Sequence, residues 1–179
     1  MKKSIHGNLV IIDTLGVLIT GERDIGKSEL SLALIDRGHQ LVSDDCVDLK
    51  SIDNRLMGSC PTLSNSYLLI SGIGIIDIPK LFGHAAVVSE HEIQLCLELC
   101  TLDKIPPAKH PLRPVTETIT LNNINLTKIF FPVTDSKSLP LMVETLIRNY
   151  RLQLAGYDAS EIFNQRCTEA IKSHEKNHD

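Results

Sequence analysis

Residues 16–29 read Gly-Val-Leu-Ile-Thr-Gly-Glu-Arg-Asp-Ile-Gly-Lys-Ser-Glu. Within them Gly21, Gly26, Lys27 and Ser28 stand at the spacing G-x-x-x-x-G-K-S. An apolar, β-branched run over residues 17–20 leads into the first glycine, and a helix-like pattern follows the serine. That strand–loop–helix setting is what a phosphate-binding loop requires. Backbone N–H groups from Gly21, Glu22, Arg23, Asp24, Ile25 and Gly26 onward would point at an anion, which the helix dipole also favours. Lys27 would reach the β- and γ-phosphates of a nucleotide, and the Ser28 hydroxyl would ligate magnesium. The competing reading is a glycine-rich turn that happens to precede a helix; the flanking pattern favours nucleotide binding.

Such a site also needs a carboxylate near the magnesium and the reacting hydroxyl. Asp44 and Asp45 follow a short apolar strand, residues 40–42, expected to lie beside the strand that feeds the loop. Functional residues collect at the C-terminal ends of parallel strands. Two adjacent carboxylates in an extended segment point opposite ways. One can serve the site while the other is held structurally. A solvated Asp-Asp turn is the alternative, less favoured beside a phosphate loop.

The elements that must hold these groups are partly visible. Residues 8–12 form a short apolar strand. Residues 27–37 form a helix that ends at Arg37-Gly38, a basic last turn before a C′ glycine. Residues 50–66 are polar and turn-rich, as in a hairpin and loop. Residues 67–70 and 73–78 read as strands, and 79–82 as a short helix before Gly83. Residues 92–99 alternate and predict a half-buried strand, with Ile93, Leu95, Leu97 and Leu99 on one face and Gln94, Cys96, Glu98 and Cys100 on the other. Residues 104–114 carry four prolines and read as a mobile loop. Residues 117–121 and 128–133 are further strands. Ser138 is an expected N-cap with Pro140 in the first turn, and Leu139, Met142, Val143, Leu146, Ile147, Tyr150 and Leu154 mark one helical face. Gly156 ends that helix. Asp158 and Glu161 form an expected capping box for a last helix to about residue 172, with a polar tail from Ser173. No internal repeat is visible.

Bulk properties bound the function. The 179 residues suffice for one well-buried domain over 1–179. Net charge −4 offers no electrostatic case for nucleic acid, and aromatic residues at 4% with no Trp offer no base-stacking platform. No signal peptide or membrane span is visible, so the cytoplasm is the expected compartment. Cys46, Cys60, Cys96, Cys100 and Cys167 form no C-x-x-C pair, and their odd number argues against a closed disulfide framework. Cys96 and Cys100 are expected to be buried reduced thiols.

Several stretches together resemble one family. His6-Gly7, the loop over residues 21–29, Arg37-Gly38-His39 and Val42-Ser43-Asp44-Asp45 stand in the order and spacing of the HPr kinase/phosphorylase catalytic domain. Gly72-Ile-Gly-Ile-Ile-Asp-Ile with Leu81-Phe82-Gly83 resembles its signature region, and Ala155-Gly156-Tyr157-Asp158-Ala159 its C-terminal helix junction. The resemblance spans nearly the whole chain, in the short form that lacks the family's separate N-terminal domain. It implies an α/β fold with a phosphate loop, a PEP carboxykinase-like mixed sheet, flanking helices and a C-terminal helical pair. It implies ATP- and magnesium-dependent phosphorylation of a serine on the phosphocarrier protein HPr, reversal by phosphorolysis to pyrophosphate, and a homo-hexamer. Asp45 would then be the general base, Lys27 would neutralise the transferring phosphate, and Ser28 and Asp44 would serve the metal. His6 matches an active-site histidine of the family, and Lys104 an arginine of its mobile loop.

Three departures accompany the resemblance. Asp24 stands where the family loop has a glycine, a nest position that favours φ > 0. Its charge would face phosphate, and at about 4 Å like charges cost roughly 1–4 kcal/mol. Leu69 stands at a magnesium-binding glutamate, and Ser71 at an arginine. Lys104 keeps its arginine's charge without the bidentate fork. Two alternatives follow: a nucleotide- or phosphate-sensing module without transfer, and a kinase for another substrate.

Overall fold

A computed structural model describes residues 3–61, 66–134 and 138–175. In chain order it has strands β1 (Lys3–His6), β2 (Asn8–Ile12) and β3 (Leu15–Gly21), then helix α1 (Lys27–Asp36). Strands β4 (Gln40–Ser43), β5 (Cys46–Ile52), β6 (Arg55–Ser59), β7 (Tyr67–Ile70) and β8 (Gly74–Asp77) follow, then α2 (Ile78–Phe82). After β9 (Glu90–Glu92) and β10 (Leu95–Cys100) come the hairpin β11 (Thr116–Leu121) and β12 (Ile124–Pro132), and helices α3 (Leu139–Leu154) and α4 (Ala159–Glu175).

A mixed sheet runs in the order β11-β12-β10-β3-β2-β4. Strands β3, β10 and β12 are parallel, whereas β2 runs antiparallel to both β3 and β4. The expectation that β4 adjoins β3 is therefore corrected: β2 lies between them. Because β2 is antiparallel to both, β3 and β4 still point the same way. Their C-terminal ends flank the N-terminal end of β2, where Asn8 pairs with Ile19 and Leu9 with Ser43.

Each face of this sheet is covered. On one side Val10, Ile12, Val17, Ile19, Leu95, Leu97 and Leu99 pack with α1, α3 and the β7–β8 hairpin. On the other, Leu9, Ile11, Leu18, Cys96 and Leu126 meet Val47, Leu49 and Leu56 of a second sheet, β1-β5-β6-β9. Three layers result. Central strands buried on both faces read as continuous apolar runs, and this corrects the half-buried reading of residues 92–99. The regular strand begins only at Leu95, Ile93 belongs to the second core, and Cys96 and Cys100 are buried. Both thiols are free, and burial pushes that of Cys96 up to about 11.

Local chemistry explains several boundaries. Arg37 caps α1 and Gly38 takes φ 94° beyond it. Asp53-Asn54 and Asn122-Asn123 carry positive φ at the tips of two hairpins, the geometry that matches strand twist in two-residue loops. Asp158 caps α4 by accepting from the amides of Ser160 and Glu161. Ser138 occupies the N-cap of α3, but its side chain makes no capping hydrogen bond. On α3, Val143 and Ile147 are buried and Leu139, Leu146 and Tyr150 pack against the core, while Met142 and Leu154 are exposed. Residues 104–114 form no strand, and Arg113 ties them to Asp158. The expected loop over 62–65 and the tail end over 176–179 lie outside the described residues.

Helix α3 is fastened by one buried carboxylate. Glu144, 2% exposed, accepts from Arg37 Nε at 2.8 Å, Arg37 Nη2 at 2.6 Å and His39 Nε2 at 2.9 Å. These bonds, the arginine's first, hold its pKa down to about 2 against the opposing effect of burial. Its stabilising contribution is therefore complete above the ordinary glutamate range near 4.5 and is lost as pH falls towards 2.

Two predictions follow from this packing. Glu144→Gln lowers stability at pH 7 by about 1.5–3 kcal/mol, the range for hydrogen bonds to charged groups. Urea denaturation at several pH values should show wild type and variant converging below pH ~4 as the carboxylate takes up its proton. At Gly16 an added Cβ would lie 1.9 Å from the Glu92 carbonyl oxygen, whereas at Gly58 it would meet the side chains of Leu9, Ile93 and Val47 at 2.5–3.0 Å. Gly16→Ala should cost about 3 kcal/mol or more and Gly58→Ala less, because rotamers yield where backbone does not; the same denaturation assay ranks them.

Candidate functional site

The β3–α1 loop is shaped by its glycines. Gly21 takes φ 138°, and a Cβ there would lie 2.5 Å from the Leu99 carbonyl oxygen at the end of β10. Only glycine lets the loop turn so close to that strand. Gly26 takes φ 100° at the N-cap of α1, and a Cβ there would meet nothing within 4 Å. Asp24 takes φ 61°, so it adopts the left-handed conformation that a glycine would otherwise supply. The Lys27 ammonium lies back across the loop and donates to the carbonyls of Gly21 at 3.1 Å and Glu22 at 2.7 Å.

Asp44 and Asp45 follow β4 in a bend rather than the extended segment expected, and they differ in burial. Asp44 is 6% exposed. Its Oδ1 accepts from Ser28 Oγ at 2.9 Å and Asn8 Nδ2 at 2.7 Å, and its Oδ2 from the Leu69 amide at 3.2 Å. Burial raises its pKa, and these three donors oppose that rise. Asp45 is exposed, with φ 63°. Its Oδ1 lies 3.1 Å from His6 Nδ1. His6 ends β1, a strand that was not expected, and stands opposite Cys46 of β5. That pairing carries a histidine that reads alone as a surface residue to Asp45.

These groups line one open cavity of about 1420 Å³. His6, Arg23, Asp24, Gly26, Lys27, Ser28, Asp44 and Asp45 form its polar side. The β7–β8 hairpin forms the other, with Tyr67, Leu69 and Ile75 presenting apolar side chains. Gly21, Glu22 and Ile25 lie outside the lining: Ile25 packs against the core, and Glu22 pairs with Lys104. Lys104, in a short turn after β10, therefore meets the loop rather than the cavity.

Sequence reasoning missed Asn8. It is fully buried, and its amide contacts Asp44, Ser31 and Asp45. The one signal for it was an asparagine opening an otherwise apolar strand directly after His6-Gly7. Leu69 was noted for its side chain, yet its main chain makes the contact.

The donor set suits a polyphosphate with a hard cation. Ser28 and Asp44 offer oxygen donors of the kind Mg²⁺ takes. The hydrogen bonds to Asp44 come from neutral groups, so its charge is not matched by a bonded base. The loop's helix N-terminus, Lys27 and the open space beside Gly26 suit phosphate.

The sequence profile described as HPr Serine kinase C-terminal domain matches residues 1–167. The HPr kinase/phosphorylase of Lactobacillus acidophilus is 38% identical over 177 residues, 98% of this chain and 54% of that protein. That of Neisseria meningitidis is 36% identical over 176 residues, 97% of this chain and 55% of that protein. The chain thus spans about half the length of the curated relatives it matches. The solved HPr(Ser) kinase/phosphatase of Coxiella burnetii superposes with a TM-score of 0.85 at 56% identity, over 90% of this chain and 98% of that one. By its sequence and by its mixed α/β fold, this chain belongs to the HPr serine kinase C-terminal domain family.

Proposed function

We propose that this chain transfers a phosphoryl group between ATP and a serine of HPr or an HPr-like protein, and reverses the transfer by phosphorolysis. The observation that carries this reading is the exposed Asp45 carboxylate, held beside His6 in the cavity that the phosphate loop opens into. Asp45 accepts the seryl proton as the hydroxyl attacks the γ-phosphorus and the bond to ADP breaks. In reverse, phosphate attacks the seryl phosphate, Asp45 returns the proton to the serine oxygen, and pyrophosphate leaves. Lys27 swings from the loop carbonyls onto the phosphates. Asp44, by accepting the Ser28 proton, turns a hydroxyl lone pair towards the metal position. Magnesium, when bound there, neutralises charge on the β- and γ-phosphates. The chain acts as one catalytic unit over 1–179, in the cytoplasm and as a homo-hexamer, with the loop and sheet arrangement of PEP carboxykinase-like proteins. Among the described residues no helix is long and apolar enough to cross a membrane.

A second reading is a nucleotide-responsive module that transfers nothing. It is favoured by Leu69, 62% exposed in the cavity wall where the resemblance implies a metal-binding glutamate.

Incubation with HPr, labelled ATP and magnesium separates the two. Labelled HPr-serine phosphate is expected. Its absence, beside a relative that works under the same conditions, overturns the first reading. Asp45→Asn keeps a side chain that tolerates the left-handed backbone. It should lower turnover by about 10²–10⁴, the usual range for a general base, while calorimetry finds ATP affinity within about threefold of wild type, because the phosphate contacts remain. Lys27→Ala should instead weaken ATP binding itself, by about tenfold or more, as a charge-assisted contact is lost.

A further inference from the structure

We propose that Asn8 is the positioning residue of this site, holding Asp44 against Ser28 and fixing the turn that presents Asp45. The inference rests on the phosphoryl-transfer reading and adds a residue to it. Asn8 opens β2, whose first residue lies between the ends of β3 and β4. From there its amide reaches three residues on two segments. Nδ2 donates to Asp44 Oδ1 at 2.7 Å and to Ser31 Oγ at 2.9 Å, and Oδ1 accepts from the Asp45 amide at 3.1 Å. Ser31 Oγ donates in turn to the Lys27 carbonyl at 2.9 Å.

Both donor hydrogens and the acceptor are thereby used in a fully buried position. The Asp45 backbone is held at each of its polar groups by the adjacent residues Gly7 and Asn8. Its N–H goes to Asn8, and its carbonyl accepts from the Gly7 amide at 3.1 Å. These two bonds pin an aspartate at φ 63°, a conformation that disfavours most L-residues. Only an amide fits the pattern. A carboxylate could not donate to Asp44, and an apolar side chain would leave a buried carboxylate one donor short.

Asn8→Asp carries the test, because it keeps the shape and still accepts from Asp45. It removes the donor to Asp44 Oδ1 and sets a second acceptor against it. The readouts at pH 8 are calorimetric affinity for magnesium–ATP and kcat for HPr phosphorylation, each as the ratio of N8D to wild type, with ATP free of magnesium as the control. At pH 8 a deficit of about 10–100-fold in one or both is expected, the usual effect of removing a partner that orients a metal-site ligand. The affinity ratio should be close to one for ATP without magnesium, which a general loss of packing would not produce. Asn8→Val covers the case in which N8D does not fold: it should show a similar deficit.

A folded N8D within about twofold of wild type in both readouts at pH 8 overturns the proposal. So does an equal deficit with and without magnesium, or, where N8D does not fold, an unimpaired N8V. Wild type that binds magnesium–ATP but phosphorylates no HPr overturns the transfer reading alone, and the affinity ratio still decides the role of Asn8. Wild type that binds no nucleotide overturns both.

Discussion

A carboxylate removed from water must be given hydrogen bonds, and at Asp44 every one comes from a neutral group. Asn8, Ser28 and the Leu69 amide surround it. Burial raises its pKa and the donors oppose that effect without cancelling its charge. The result is a fixed anionic point at the foot of α1, beside the one hydroxyl of the loop sequence that can ligate a hard cation. The three donors sit on three different elements, β2, α1 and the β7–β8 hairpin. The geometry around Asp44 is therefore set by how those elements pack and not by any one of them.

The packing that fixes them is the three-layer arrangement. A sheet covered on both faces cannot slide without exposing one of its two cores, because a one-residue slip turns every side chain over. This fixes the register that brings Asn8 to Ile19 and Leu9 to Ser43. The Arg37–His39–Glu144 cluster then fastens α3 to the far end of α1. Helix α1 is thus held at its N-terminus by the site and at its C-terminus by the ion pair of Arg37 with the buried Glu144. A catalytic constellation needs that kind of rigid support more than it needs strength in any single contact.

Two of the departures from the family pattern look different once the backbone is known. At Asp24 the left-handed conformation is kept, so the substitution changes the loop's charge more than its shape. At Leu69 the side chain turns outward while the amide bonds to Asp44. A main-chain donor does not depend on which side chain stands there. The loss at this position is therefore confined to whatever a longer acidic side chain would have added from the cavity wall.

Much of the molecule was readable from local chemistry. The glycine-shaped loop between β3 and α1, the Gly38 and Gly156 stops and the cap at Asp158 each depend on a few neighbouring residues, and those residues state their conformational preferences directly. Burial of β10 on both faces was not readable, because alternation over residues 92–99 describes one strand and says nothing of a second sheet behind it. Strand β1 was missed for a similar reason: its four residues, largely polar and exposed, acquire strand geometry only by pairing with β5. What the sequence by itself determined was which residues have the chemistry to hold phosphate and move a proton. Only the tertiary structure decided that β2 would stand between the loop and the carboxylates, that His6 would meet Asp45, and that a buried asparagine would join them. Contacts between distant segments leave no local signature; they arise from strand order and register, which are settled when both cores close.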